Sequence, residues 1–154
     1  NFLKYKNNID FNNKAFKIIE EFNPEIIILF FTKKIHKKIF KKYLTINIHN
    51  SLLPNYKGLN ALKKSFKEEN KFVCSTSHIV NEKFDSGKIL YQVVTPAKKK
   101  TLKFYEKTAF FQRIILLMAL INNKQKKNRY SLINGETLLS PGLDKTKINY
   151  KFWI

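Results

Sequence analysis

At 154 residues with 44% hydrophobic content, the chain carries enough apolar material for one domain with a core and too little for two, and its longest apolar stretch, residues 114–121, falls far short of the roughly 18 residues that a membrane span needs. One cysteine, Cys74, excludes an internal disulfide, and no Cys/His cluster has zinc spacing, so no metal is expected and a reducing compartment is. The formal charge of +19 is nearly all lysine, as in the pairs 33–34, 37–38 and 41–42 and the triplet 98–100; with so little arginine, a base-reading surface is disfavoured against a solvated lysine coat.

The first segment is polar and rich in Asn and Lys. Ala15, Phe16, Ile18, Ile19 and Phe22 then recur at helical spacing, and Asn23-Pro24 stops that helix. Residues 25–31 form an Ile-rich apolar run of strand length, the pattern of a strand buried on both faces of a parallel sheet. Ile35, Ile39, Phe40 and Tyr43 mark an amphipathic helix among lysines, and residues 45–49 a second strand. After a loop at 54–58, Leu59, Leu62 and Phe66 mark another helix. Residues 72–80 and 88–94 read as strands joined by a polar loop that ends at Gly87. One long helix is expected over 102–121, with Phe104, Thr108, Phe111, Ile115 and Met118 on its core stripe. The rest, 123–154, is turn-rich, with a strand-like piece near 130–133 and an aromatic ending at Tyr150, Phe152 and Trp153. It is expected to be an extension or linker to a domain over 1–122. The fold class expected is α/β: a Rossmann-like, open, mainly parallel sheet flanked by helices.

Chemistry concentrates between residues 47 and 87. Along Ile46, Asn47, Ile48 and His49 apolar and polar residues alternate, and strand side chains alternate faces, so Asn47 and His49 point the same way. They sit at the carboxyl end of a strand, where open α/β sheets place ligand sites. An amide and an imidazole on one face suit acyl transfer to an amine, because a tetrahedral intermediate develops an oxyanion that needs preorganised donors. A carboxylate is then wanted to handle the proton of the attacking amine, and Asp85 is the candidate. Near His49 it would also favour the imidazolium. Cys74 has no activating partner in the sequence, and Ser51 lacks a nucleophile-elbow motif, so no covalent enzyme intermediate is expected.

The pattern Asn47, His49, Ser51 to Pro54, Gly58, Thr76, His78, Asp85 and Gly87 resembles the signature of the formyltransferases that use 10-formyltetrahydrofolate, the family of phosphoribosylglycinamide formyltransferase and of the catalytic domain of methionyl-tRNA formyltransferase. The resemblance covers roughly residues 23–94. It implies that Asn47, His49 and Asp85 are the catalytic trio and that 10-formyltetrahydrofolate is the co-substrate. Ile35 and the Phe84–Asp85 loop would then wall the folate pocket, while Ser51, Pro54, Gly58, Thr76 and His78 would shape the site or border the acceptor. Members of that family usually open with a strand and a Gly-rich turn that holds phosphate at a helix N-terminus. No such turn stands before residue 23, so an N-terminal βαβ part is expected to be missing, and the chain is expected to be a fragment or a divergent member that is inactive alone. Cys74 stands where that family commonly has Gly.

The loop 55–61 resembles that of the branches acting on small acceptors, glycinamide ribonucleotide or an amino sugar. The segment 147–152 resembles the passage into an accessory domain of the tRNA and sugar enzymes, and the charge would suit tRNA, so methionyl-tRNA remains the alternative acceptor. A non-catalytic, basic nucleic-acid-binding domain is the competing reading outside enzymology. A cytoplasmic or organellar-matrix location without membrane contact follows from the same considerations. Sequence leaves the oligomeric state open.

Overall fold

The computed structural model describes residues 7–30, 34–122, 131–133 and 137–140. The aromatic ending and the 147–152 segment, as well as the end of the apolar run at Phe31, lie outside the described residues. Helix α1 (Asn8–Phe22) begins earlier than the apolar spacing predicts, because the Asn7 side chain accepts from the Ile9 and Asp10 N–H groups and caps it. It ends where expected, with Asn23 in the left-handed region ahead of Pro24. Strand β1 (Ile26–Leu29), the short lysine-rich helix α2 (Lys37–Lys42) and β2 (Leu44–His49) form a βαβ unit whose two strands are parallel. Helix α3 (Ala61–Lys67) leads to β3 (Phe72–Ile79) and β4 (Ile89–Pro96), the expected hairpin. The long helix α4 (Leu102–Asn122) follows, then β5 (Ser131–Ile133) and β6 (Thr137–Ser140).

The strands make one open sheet of order β1-β2-β3-β4-β6-β5. The open sheet with flanking helices is the expected Rossmann-like arrangement. Its pairing is mixed, however, and the expectation of a mainly parallel sheet needs correction: among the described strands β1–β2 is parallel, while β2–β3, β3–β4, β4–β6 and β5–β6 are antiparallel. An apolar run reports burial on two faces, and β3 reaches that state between two antiparallel neighbours. Conversely, β1 has β2 as its one neighbour among the described residues, and Ile26 stays 42% exposed.

The core lies between α4 and one face of the sheet. Ile48, Val93 and Leu116 form one cluster, and Leu62, Val73, Tyr105 and Ala109 another beneath α3. The expected α4 stripe is only partly right: Phe104 and Ile115 pack at the cluster margins, but Phe111 is 63% and Met118 51% exposed. The buried face is instead Tyr105, Ala109, Gln112, Arg113 and Leu116. Gln112 belongs there because its amide donates to the Val73 carbonyl (2.8 Å) and Thr95 Oγ1 (2.9 Å) and accepts from Ser75 Oγ (3.1 Å). A buried polar side chain of this kind is stable only when its partners are in place. No helix among the described residues is long and apolar enough to cross a membrane.

Candidate active site

The face of the sheet turned away from α4 carries the polar cluster. In the antiparallel β2–β3 ladder Asn47 lies opposite His78 and His49 opposite Thr76, and on β4 Gln92 lies opposite Thr76. Directly opposed residues share a face. The period-two expectation for Asn47 and His49 therefore holds, and Thr76, His78 and Gln92 join them. The Asn47 amide Nδ2 lies 3.2 Å from His78 Nε2. On its other side the His78 ring donates from Nδ1 to the Ile79 carbonyl (3.0 Å), which leaves Nε2 of the neutral ring to accept from Asn47.

The loop after β2 is pinned from below. Thr76 Oγ1 donates to the Ser51 carbonyl (2.8 Å) and accepts from the Leu53 N–H (3.2 Å). Gln92 Nε2 donates to the Leu53 carbonyl (2.9 Å) and to Thr76 Oγ1 (3.2 Å). Thr76 and Gln92 are both fully buried, so water cannot replace these bonds. Replacing Thr76 by Val is expected to lower stability by about 2 kcal/mol, since it keeps the shape but orphans buried polar groups. Denaturant unfolding reads that loss. The Leu53–Pro54 peptide is cis, and Pro54 points to solvent. Ser51 contributes through its backbone: its hydroxyl is buried with no hydrogen-bond partner among the described residues.

Asp85 reaches this cluster from the β3–β4 loop. Its backbone is left-handed (φ 45°), a conformation Asp tolerates better than most residues, and its Oδ2 accepts from the Gly58 N–H at 2.8 Å. Gly58 itself has φ 84°, so glycine is favoured there for conformational reasons. Asp85 Oδ2 lies 3.6 Å from His49 Nδ1, and Oδ1 lies 3.5 Å from His78 Nε2. Burial works to raise the Asp85 carboxyl. The His78 ring, whose Nε2 can donate to Asp85 only in the imidazolium form, the Gly58 N–H and the charge of His49 outweigh it and hold the carboxyl at about 2, so Asp85 is an anion throughout the neutral range.

His49 is held between two acceptors. Its Nε2 is 2.8 Å from the Tyr56 carbonyl, which can only accept, and its Nδ1 faces Asp85. Burial pulls the His49 pKa below its ordinary value. Asp85 and the Tyr56 carbonyl oppose that shift, while His78 and Arg113 reinforce it.

The residues expected at the folate side lie near one another without forming a closed wall. Phe84 stays 55% exposed beside Asp85, Lys34 Nζ sits 5.5 Å from the Phe84 ring centre, and Ile35 follows Lys34, half-buried. That segment is tied to α1, because Asn12 donates to the Lys34 carbonyl (3.1 Å) and accepts from the His36 N–H (2.6 Å). Cys74 is buried, and burial pushes its thiol up to about 12, so it supplies no nucleophile. Among the described residues no group of His, Cys, Asp and Glu is placed to hold a metal ion. Sequence reasoning missed Gln92 and the Tyr56 carbonyl. Gln92 had a signal in its polarity amid the apolar residues of a strand; the Tyr56 carbonyl had none, since every residue carries one.

The model of the formyl transferase family matches residues 1–120. This chain belongs to that family. Among formyl transferase relatives, the trifunctional purine biosynthetic protein adenosine-3 of Gallus gallus is 34% identical over 98 residues, which is 62% of this chain and 10% of that protein. Formyltetrahydrofolate deformylase 2, mitochondrial, of Arabidopsis thaliana is 35% identical over 77 residues, 49% of this chain and 24% of that one. A crystal structure of phosphoribosylglycinamide formyltransferase from Campylobacter jejuni superposes with a TM-score of 0.65 at 26% identity, covering 76% of this chain and 64% of that one. The chain thus spans between a tenth and two thirds of the length of these relatives.

Proposed function

We propose that this domain transfers the formyl group of 10-formyltetrahydrofolate to a primary amine. The observation that carries the proposal is the convergence of Asn47, His49, His78 and Asp85 at the end of β2 in a chain of the formyl transferase family. In this reading the neutral amine attacks the formyl carbon, and the oxygen of the tetrahedral intermediate takes hydrogen bonds from Asn47 and the His49 imidazolium. Asn47 uses one of its two N–H hydrogens on His78 and keeps the second for that oxygen. At 3.6 Å the His49 Nδ1 proton is too far from Asp85 for a full hydrogen bond, so a substrate oxygen can share it.

A carboxyl held at about 2 is a poor resting base at neutral pH. Asp85 therefore acts chiefly as a fixed charge that favours the imidazolium. The proton lost by the amine passes through solvent or the imidazole to the folate nitrogen as the old carbon–nitrogen bond breaks. The exposed Phe84 ring, with Lys34 over it and Ile35 adjoining, is the surface offered to the folate.

The acceptor favoured by the 55–61 loop is a small amine, glycinamide ribonucleotide or an amino sugar. The deformylase relative favours a second reading on the same trio, in which water takes the place of the amine and formate leaves. Incubating the protein with 10-formyltetrahydrofolate and, in turn, glycinamide ribonucleotide, an aminodeoxy sugar nucleotide, methionyl-tRNA or no acceptor tests these readings. Formylation of a small amine is expected. Formylated methionyl-tRNA or released formate would reassign the acceptor, and absence of all products would sink the proposal. The basic surface supports a nucleic-acid role less well, because its charge is nearly all lysine with very little arginine to read bases.

A further inference from the structure

We infer that Tyr56 is a positioning residue for His49: its anchored phenol holds the loop carbonyl that decides which ring nitrogen carries the proton. The Tyr56 backbone is tied in by its N–H, which donates to the Leu52 carbonyl (2.8 Å), and its own carbonyl accepts from His49 Nε2 (2.8 Å). The side chain makes a second attachment well away from the site. Its hydroxyl donates to Glu68 Oε2 at the end of α3 and accepts from Asn70 Nδ2 (2.8 Å), while the same Asn70 amide donates to the Ser65 carbonyl (2.8 Å). One residue thereby links the C-terminal end of α3 to the imidazole.

The consequence for His49 is chemical. A carbonyl can only accept, so the neutral ring must carry its hydrogen on Nε2 and leave Nδ1 bare toward Asp85. Without that carbonyl, the Asp85 carboxylate is the remaining strong acceptor beside the ring, and it would draw the hydrogen to Nδ1. The charged and titratable groups acting on His49 come from three elements: Asp85 from the β3–β4 loop, His78 from β3 and Arg113 from α4. None of them is changed by an alteration at Tyr56, which makes the carbonyl's contribution separable.

This inference rests on the proposed formyl transfer for its catalytic meaning, but its test does not depend on turnover. Nitrogen–proton correlation spectra of the protein with isotope-labelled histidine report the tautomer and the titration of His49 directly. Wild type is expected to show a protonated Nε2 and an unprotonated Nδ1 in the neutral ring. In Tyr56→Phe, which keeps the ring and removes both phenol bonds, a substantial Nδ1-protonated population is expected, together with a titration midpoint at lower pH, because an acceptor that favours the imidazolium has been loosened. Glu68→Gln, which retains an acceptor for the phenol, is expected to keep the wild-type tautomer. If Tyr56→Phe proves unfolded, Glu68→Ala at the exposed end of the same chain of bonds must show the same shift. A wild-type tautomer and midpoint in a folded Tyr56→Phe or Glu68→Ala protein would overturn the inference, whereas loss of formyl transfer with the tautomer as expected would count against the function alone.

Discussion

Gly87→Ala is expected to lower stability by roughly 3 kcal/mol or more, near the top of the range for overpacked sites. A Cβ on Gly87 would stand 1.6 Å from the Ile79 carbonyl oxygen and 2.7 Å from its carbon. Those are backbone atoms of β3, and they are held: the Ile79 N–H donates to the Lys88 carbonyl (2.9 Å), and the Ile79 carbonyl takes the His78 ring N–H (3.0 Å). No side-chain rotation relieves such a clash, so the loop or the strand end must move. Because Asp85 is two residues away, the movement also takes the carboxylate from His49 and His78. Gly58 provides the contrast, since a Cβ there meets nothing within 4 Å and the cost is limited to the left-handed backbone, about 1–2 kcal/mol. Thermal and denaturant unfolding of the two variants measure the difference. Wild-type stability in Gly87→Ala would mean that the hairpin does not approach β3 as described.

Asn47→Ala, His49→Ala and Asp85→Asn are each expected to reduce kcat for formyl transfer by about a hundredfold or more, the scale of losing one oxyanion donor or its electrostatic support. Asp85→Asn is the informative form of the third change. Asparagine accepts the left-handed backbone as readily and can still accept the Gly58 N–H, so the loop stays closed while the charge is lost. The effects should not add: a doubly substituted Asn47→Ala, His49→Ala protein should lose little more than the worse single variant, because in the proposed mechanism the two groups act on one oxygen as a unit. Steady-state kinetics of folded variants decide it. Wild-type rates in all three would remove these residues from the mechanism.

Much of this site was legible in the residues because the relevant physics is local. Alternation of side chains across a strand places Asn47 and His49 together whatever the strand is paired with. The stop at Asn23-Pro24 and the hairpin loop ending at Gly87 likewise depend on nearby backbone chemistry. The core face of α4 was harder to read, since this helix is apolar almost all round and several stripes fit equally well. Which one is buried follows from Ser75, Thr95 and the Val73 carbonyl, which require Gln112. The direction of strand pairing was not legible either, because burial on two faces looks the same in parallel and antiparallel neighbours.

By itself the sequence determined the chemical groups, the strand that pairs two of them, and the resemblance to the formyl transferase family. The tertiary structure decided whether Asp85 meets His49 and His78, and it did so through contacts between residues far apart in the chain: the Gly58 N–H on the carboxylate, and the close passage of Gly87 over Ile79. It also decided that His49 Nε2 faces the Tyr56 carbonyl at 2.8 Å. Tautomers and carboxylate pKa values are set by which atoms end up within about 3–4 Å of each other, and spacing along a chain does not encode that across two loops.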